Sequence, residues 1–99
     1  MKRLVILPFA EIDLKETLDY YKEKTEGIDI VFLKEINSSF RQILKNPEIA
    51  PKYRRDIQKF VLSKFPFCIY YIDTVQVIYI FAIFHNKRNP KEWQRRKMQ

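Results

Sequence analysis

The residues of this sequence that are best suited to exchange protons or bind anions lie near its end. His85 is the sole histidine. Arg88 follows it closely, and Arg95 and Arg96 come a few residues later. An unperturbed imidazole titrates at about pH 6.5, so it can exchange protons near neutrality. Guanidinium groups bind phosphate or carboxylate through paired hydrogen bonds. The segment therefore predicts either acid–base chemistry on a phosphodiester or the binding of an anionic partner.

A second basic segment comes earlier in the chain. Residues 52–64 carry a net charge of +4 and residues 85–99 a net charge of +5, within a chain whose total is +7. The remaining residues therefore sum to −2. This concentration of charge suits a polyanion or an acidic partner, and it makes Arg54, Arg55 and Lys59 further candidate binding residues. Scattered, solvated charge is the alternative interpretation.

Cleavage of RNA without a metal is one reaction that these residues could perform. It needs a base for the 2′-hydroxyl, a proton donor for the leaving oxygen and cations for the developing negative charge. In this hypothesis His85 exchanges the proton, while Arg88, Arg54 and Arg55 bind the phosphate. Alternatively, His85 closes the end of a strand, with its ring packed by Trp93 or bonded to the backbone. One glycine and one histidine provide neither a phosphate-binding glycine loop nor a metal-ligand cluster, so we expect no metal and no cofactor.

The elements that position these side chains are expected to form a single domain over residues 1–99. The length is near the commonest domain size, and 46% of the residues are hydrophobic, which is enough for one core.

The lone cysteine, Cys68, lies in an apolar run and is interpreted as a small buried hydrophobe, so an oxidising compartment is not indicated. The sequence shows no signal-peptide pattern, and its longest apolar run, 77–84, is far shorter than the ~20 residues of a membrane helix. We therefore expect a cytoplasmic protein that does not contact a membrane.

The first half of the sequence predicts one strand and two helices. Residues 2–7 form the strand, which ends at Pro8 because proline cannot donate to a ladder. Apolar residues at helical spacing then predict a first helix, closed by Gly27 in a left-handed turn. A second helix over about 29–45 completes an antiparallel helical hairpin. The acidic residues of the first helix, Asp13 among them, are assigned to its N-terminal dipole and to solvent.

The second half changes to the period of strands. Residues 53–62 predict a half-exposed strand or strand pair, and residues 67–72 with 77–84 predict a hairpin. Both faces of that hairpin are apolar, so the helices should cover one face, and the C-terminal segment or a partner the other. A tail helix over 91–97 would use Trp93 as its packing anchor. The predicted fold class is α+β: an N-terminal strand, a helical hairpin, an antiparallel sheet of three or more strands, and a short C-terminal helix.

Two side chains of this sheet have predicted contacts. Tyr70 and Tyr71 alternate faces, so one tyrosine is expected in the core and the other in contact with a partner. Arg88 has no obvious acidic neighbour in sequence, and Asp56 is its candidate partner across the sheet.

Two motifs in the second half carry a resemblance to a known family. They read Phe65-Pro66-Phe67-x-Ile69-x-Tyr71, followed by Ile80-x-Ala82-Ile83-Phe84-His85-x-x-Arg88-x-Pro90-x-x-Trp93-x-x-Arg96. The helices add Asp13-Leu14, Tyr20-Tyr21 and Phe32-Leu33-Lys34-Glu35-Ile36. Taken in this order, the motifs resemble the RelE/ParE superfamily of toxins from bacterial type II toxin–antitoxin modules. The resemblance covers essentially the whole chain.

The resemblance implies a basic toxin that inhibits growth and forms a hetero-oligomer with a cognate antitoxin, whose acidic, flexible tail neutralises it. ParE-like members act on DNA gyrase without known hydrolytic chemistry, whereas RelE-like members cut mRNA on the ribosome without a metal. The C-terminal motif is closer to the ParE side, and Trp93 stands where RelE-like nucleases usually carry a tyrosine. Inhibition of gyrase is therefore the preferred prediction. A ribosome-dependent endoribonuclease is the alternative, and an inert relic is the third possibility.

These predictions commit to a set of site residues. The catalytic residues of the nuclease hypothesis are His85, Arg88, Arg54 and Arg55. The residues predicted to bind the antitoxin or the target are Arg54, Arg55, Lys59, Tyr71, His85, Arg88, Trp93, Arg95 and Arg96.

Overall fold

The computed structural model describes residues 2–96 of the chain. In chain order the elements are β1 (Arg3–Ile6), α1 (Pro8–Lys24), α2 (Ile28–Lys45), β2 (Lys52–Arg54), β3 (Ile57–Val61), β4 (Phe67–Asp73), β5 (Val77–His85) and α3 (Lys91–Gln94). The predicted α+β class and the predicted order of elements are confirmed. The segment 53–62 contains a strand pair, which was one of its two interpretations.

The strands form one sheet in the order β1-β5-β4-β3-β2. Neighbours from β5 to β2 are antiparallel, whereas β1 runs parallel to β5, with Arg3 opposite Val77 and Ile6 opposite Ile80. Because β1 stops at Ile6, the second half of β5 extends beyond it and has no strand partner on that side. Other groups must therefore satisfy the backbone there.

The helical hairpin covers one face of the sheet, which we call the helix face. Phe32, Ile36 and Ile43 of α2 are fully buried at helical spacing, and they pack in one cluster with residues such as Ile69 and Ile83 of the central strands. Burial of this apolar surface is the main favourable contribution to the stability of such a fold. The helices and the sheet therefore share one hydrophobic core.

Gly27 lies between the two helices in the left-handed conformation that its sequence context predicts, with φ +86°. It belongs to the start of α2 rather than to the end of α1, because α1 already ends at Lys24 and Gly27 is the N-cap residue of α2. The predicted left-handed conformation of Gly27 is confirmed. The residue that caps the end of α1, however, is Thr25, two positions before Gly27.

The tail helix covers the opposite face of the sheet, which we call the tail face. Trp93 is 1% exposed, and the centroid of its ring lies 4.6 Å from that of Tyr70 and 5.7 Å from that of Phe81. This confirms Trp93 as the packing anchor of the tail. The helix itself is shorter than the predicted 91–97, since it ends at Gln94, and Lys97 lies outside the described residues.

A bulge in β5 shapes the tail face. Tyr70 pairs with Ala82, but Tyr71 pairs with Ile80, so Phe81 is an extra residue in the ladder. As a result, Phe81 and Ala82 both belong to the apolar cluster of the tail face. Over residues 2–96, no helix combines the length and the apolar character needed to cross a membrane.

Candidate partner-binding site

Asp13 of α1 holds the C-terminal segment in place. It is 3% exposed, and its carboxylate accepts a hydrogen bond from the Ile83 N–H at 3.1 Å. That amide lies beyond the end of β1, so the carboxylate takes the place of a strand partner. Arg96 donates to both oxygens of Asp13 at 2.9 Å and to the Phe81 carbonyl at 3.2 Å. The bidentate contact with Asp13 attaches the tail to α1, and the hydrogen bond to Phe81 attaches it to β5.

Arg88 has acidic neighbours other than the one predicted. Its Nε donates to Glu92 at 3.0 Å, and one of its terminal nitrogens lies 3.8 Å from Asp13. Asp56, the predicted partner, instead lies 3.9 Å from Lys52 in the β2–β3 region. The Arg88 side chain remains 40% exposed. The Arg88 side chain is therefore accessible to a partner, but its positive charge is already paired with Glu92 and Asp13.

The tail face carries a cleft of about 340 Å³ that we call the arginine cleft; it is lined by Arg54, Arg55, Ile57, Ile72, Phe81, Trp93, Gln94 and Arg96. Arg54 donates to the neutral side-chain oxygen of Gln94 at 2.9 Å, and it forms no ion pair with any residue that the structure describes. Arg55 occupies the β2–β3 turn with φ +52°. Within residues 2–96, its side chain has neither an ion pair nor a hydrogen bond. The cleft thus brings together predicted binding residues from both basic segments.

Lys59 extends this basic surface along β3. Its ammonium lies 5.3 Å from the ring centroid of Tyr53 and 5.9 Å from that of Tyr70, which are cation–π distances. Arg95 follows the tail helix and is exposed, and its side chain has no ion pair with any of the described residues. Both residues therefore lie where an anionic partner can reach them.

His85 is located on the other face of the sheet. Its ring contacts Phe67 at 5.1 Å between centroids, and Phe67 packs against Phe32 beneath the helices. Its Nδ1 accepts a hydrogen bond from the Lys87 N–H at 3.1 Å. The alternative interpretation of His85, a ring bonded to the backbone at the strand end, agrees with this geometry, although Phe67 replaces the expected Trp93. The sheet therefore separates His85 from the arginine cleft.

Tyr71 was predicted to contact a partner, and its position in the structure is a correction. Tyr71 is fully buried; its hydroxyl donates to the Pro47 carbonyl at 2.7 Å and lies 3.1 Å from the side-chain nitrogen of Gln58. Tyr70 is buried as well, so both tyrosines are core residues on opposite faces. Trp93 is equally inaccessible. Tyr71 and Trp93 therefore support the surface from below and present no area of their own to a partner.

The buried tyrosines and the cysteine have perturbed acidities. Burial raises the pKa of the Tyr70 and Tyr71 hydroxyls, and it also raises the pKa of the Cys68 thiol. Cys68 is 1% exposed, and its thiol donates to the Phe84 carbonyl at 3.4 Å. All three groups are therefore held in their neutral forms near pH 7, in agreement with the interpretation of Cys68 as a buried hydrophobe.

Asp13 is the site residue that the sequence analysis missed. The acidic residues of α1 were assigned to its dipole and to solvent, whereas Asp13 lies beneath the helix. A signal was present, because position 13 is one helical turn after the buried Ala10 and next to the half-buried Leu14. An acid within an apolar stripe predicts a buried ion pair, and the chain supplies the arginine from a distant segment.

The sequence matches no protein-family model and no curated protein. Among solved structures, a chain of the chromosomal ParDE TA system from P. aeruginosa is similar, with a TM-score of 0.72 and 17% sequence identity. The similarity covers 86% of this chain and 96% of that chain. The chain therefore has the RelE/ParE-like fold that its sequence motifs predict.

Proposed function

We propose that this chain is the toxin of a type II toxin–antitoxin pair, which inhibits growth by acting on DNA gyrase and is neutralised by a cognate antitoxin. The observation that carries the proposal is the fold, because the likeness spans 96% of a chain from a ParDE TA system. We extend membership of a toxin–antitoxin system from that protein to the present chain. The C-terminal sequence motif, which resembles the ParE-like branch, supports the same choice.

The placement of the candidate residues favours binding over RNA cleavage. A general base must lie within hydrogen-bond reach of the proton that it removes, and the cations must surround the same phosphate. His85 lies on the helix face beside Phe67, whereas Arg54, Arg55 and Arg96 line a cleft on the tail face. The sheet lies between these two groups, and this arrangement disfavours their joint action on one phosphodiester. The basic tail face is suited to binding an acidic protein surface.

The proposed partner is an antitoxin that is acidic in the region that contacts the tail face. Opposite charges steer the encounter of two such proteins, whereas apolar burial at the interface holds the complex together. The rate of association should therefore fall with added salt more strongly than the rate of dissociation changes. The proposed target, gyrase, places the action of the toxin in the cytoplasm.

The test is a pulse of expression from a tightly controlled promoter, in cells that lack the antitoxin. Growth, induction of the DNA-damage response and transcript 5′ ends are recorded together. The purified chain is then added to gyrase in a supercoiling assay. We expect growth arrest, a damage response, intact transcripts and inhibited supercoiling.

Other results would change the proposal. Unaltered supercoiling in an arrested culture would remove gyrase as the target. Codon-positioned mRNA ends would support the endoribonuclease, and His85→Ala or Arg88→Ala should then abolish cleavage without unfolding the chain. Normal growth with a stably folded protein would identify an inert relic.

A further inference from the structure

We propose that the arginine cleft binds an acidic polypeptide segment that places one aliphatic or aromatic side chain on the cleft floor and carboxylates on the rim arginines. The proposal deepens the proposed function and rests on it in one respect, namely that the segment belongs to the antitoxin. It assigns the antitoxin contact to a specific part of the tail face.

The charges at the rim indicate the chemistry of the ligand. Arg96 is compensated by Asp13, but Arg54 contacts only the neutral Gln94, and Arg55 has no side-chain partner within residues 2–96. The residues that line the cleft include no acid. Two guanidinium groups with free hydrogen-bonding capacity at one opening form a site for carboxylate or phosphate groups.

The floor distinguishes a peptide from a nucleic acid. A nucleobase binds to such proteins by stacking on an accessible aromatic face. The Trp93 ring offers no such face, because it is 1% exposed and packed against Tyr70, Phe81 and Tyr53. The half-buried residues of the floor are Ile57 and Ile72, which are aliphatic. The residues that line the cleft can bury an apolar side chain, but they offer no exposed aromatic face to a base.

The backbone of Arg55 supports a role for its side chain. A non-glycine residue with positive φ is uncommon, and such strain persists mostly where the position serves a function. The β2–β3 turn places Arg55 at φ +52°, where glycine or asparagine would fit with less strain. The strained turn carries one of the two guanidinium groups at the cleft opening that have no acidic partner among the described residues.

The test uses fluorescently labelled synthetic peptides that carry a single Leu, Ile or Phe flanked by Asp and Glu residues. A matched set replaces the apolar residue by serine, and a single-stranded oligonucleotide of the same net charge serves as the competitor. Binding is measured by fluorescence anisotropy to the full chain and to Arg54→Gln, Arg55→Asn and Arg41→Gln. Arg41 is an exposed residue of α2 outside the cleft, so its replacement removes the same charge elsewhere. Asparagine tolerates a positive φ, so Arg55→Asn should fold normally.

We expect Arg54→Gln and Arg55→Asn each to weaken binding of the peptides by about tenfold, the loss typical of one charge-assisted hydrogen bond. Arg41→Gln should leave binding unchanged, and the serine peptides should bind more weakly than their apolar counterparts. Equal losses for all three arginine variants, or no binding by any of the peptides, would overturn the proposal. Preferential binding of the oligonucleotide would assign the cleft to nucleic acid instead.

The inference and the proposed function fail in different ways. Growth arrest that an antitoxin relieves, without peptide binding in the cleft, would remove the inference and leave the function. Specific peptide binding by a chain that does not affect growth would remove the function and leave the cleft assignment.

Discussion

Replacing Asp13 by alanine removes the partner of Arg96 and the acceptor of the Ile83 N–H in one step. The side chain of Asp13 is 2% exposed and that of Arg96 is 11% exposed, so water can compensate for this loss only in part. The change also leaves Arg88 without its second carboxylate. We therefore expect a loss of stability far larger than an average surface substitution would give.

The magnitude follows from the contacts. Breaking a buried ion pair by removing one partner costs about 3–5 kcal/mol, because the remaining charge stays buried without compensation. An unpaired buried amide alone costs about 1–3 kcal/mol, and it is part of that sum. Because Arg96 retains some exposure, Asp13→Ala should lie near the lower end of the range. Asp13→Asn should cost less, since an amide oxygen can still accept from Ile83.

The assay is urea unfolding followed by circular dichroism for Asp13→Ala, Arg96→Ala and the double variant. The double variant should be less destabilised than the sum of the single variants by more than about 1 kcal/mol, as expected for residues in direct contact. Asp19→Ala on the same helix is the control. Its partner Lys15 lies at 3.3 Å, but both side chains are mostly exposed, so the change should stay within about 0.5 kcal/mol. Additive single effects, or an Asp13→Ala cost as small as that of the control, would refute the reasoning.

Four further predictions concern other parts of the fold. Trp93→Ala should destabilise the protein by about 3–5 kcal/mol in the same urea assay, because it empties a packed aromatic site, whereas Trp93→Phe should recover much of that loss. Gly27→Ala should lower the stability by about 1 kcal/mol through backbone strain alone, since an added Cβ would meet no atom within 4 Å; Gly27→Asn should cost less, and equal costs would contradict this explanation. Cys68 should react with iodoacetamide at neutral pH only after unfolding, because burial disfavours its thiolate, and rapid labelling of the native chain would show otherwise. The raised pKa values of Tyr70 and Tyr71 mean that the unfolded chain loses these protons first, so the stability that the two tyrosines contribute is complete below the ordinary tyrosine pKa of 10.0 and is lost above it. Between about pH 9 and pH 11 the melting temperature of Tyr71→Phe should therefore fall less steeply than that of the unmodified chain, and parallel curves would exclude Tyr71 as a cause.

The sequence predicted the elements of the fold well because their signals are local. Helical spacing of apolar residues identified α1 and α2, and runs of β-branched and aromatic residues identified β4 and β5. The need to cover both faces of an apolar hairpin also predicted that the C-terminal segment would pack on the sheet. Trp93 confirms that expectation, since it is the one tryptophan of the chain and lies fully buried on the tail face.

The site was less predictable because its contacts join segments that are distant in sequence. Asp13 and Arg96 are separated by 83 positions, and the sequence around either residue does not indicate the other as its partner. The bulge at Phe81 is equally hidden, because a strand that is apolar on both faces gives no alternation from which to detect a shift of register. Tyr71, predicted to contact a partner, is buried because its side chain lies on the face that the helices cover. Period alone shows that Tyr70 and Tyr71 point in opposite directions, but not which of the two lies beneath the helices.

The same tail that covers the sheet also forms one wall of the arginine cleft, so the proposed binding of a partner depends on the stability of the fold. Trp93 anchors the tail from below, Gln94 contacts Arg54 across the cleft, and Arg96 fixes the tail to Asp13. If the tail detached, the apolar tail face would be exposed and the cleft would lose its wall at the same time. A ligand that binds only the docked arrangement stabilises that arrangement in proportion to its concentration relative to its Kd. In the proposed function, the ion pair at Asp13 would therefore act on binding indirectly, by keeping this wall of the cleft in place.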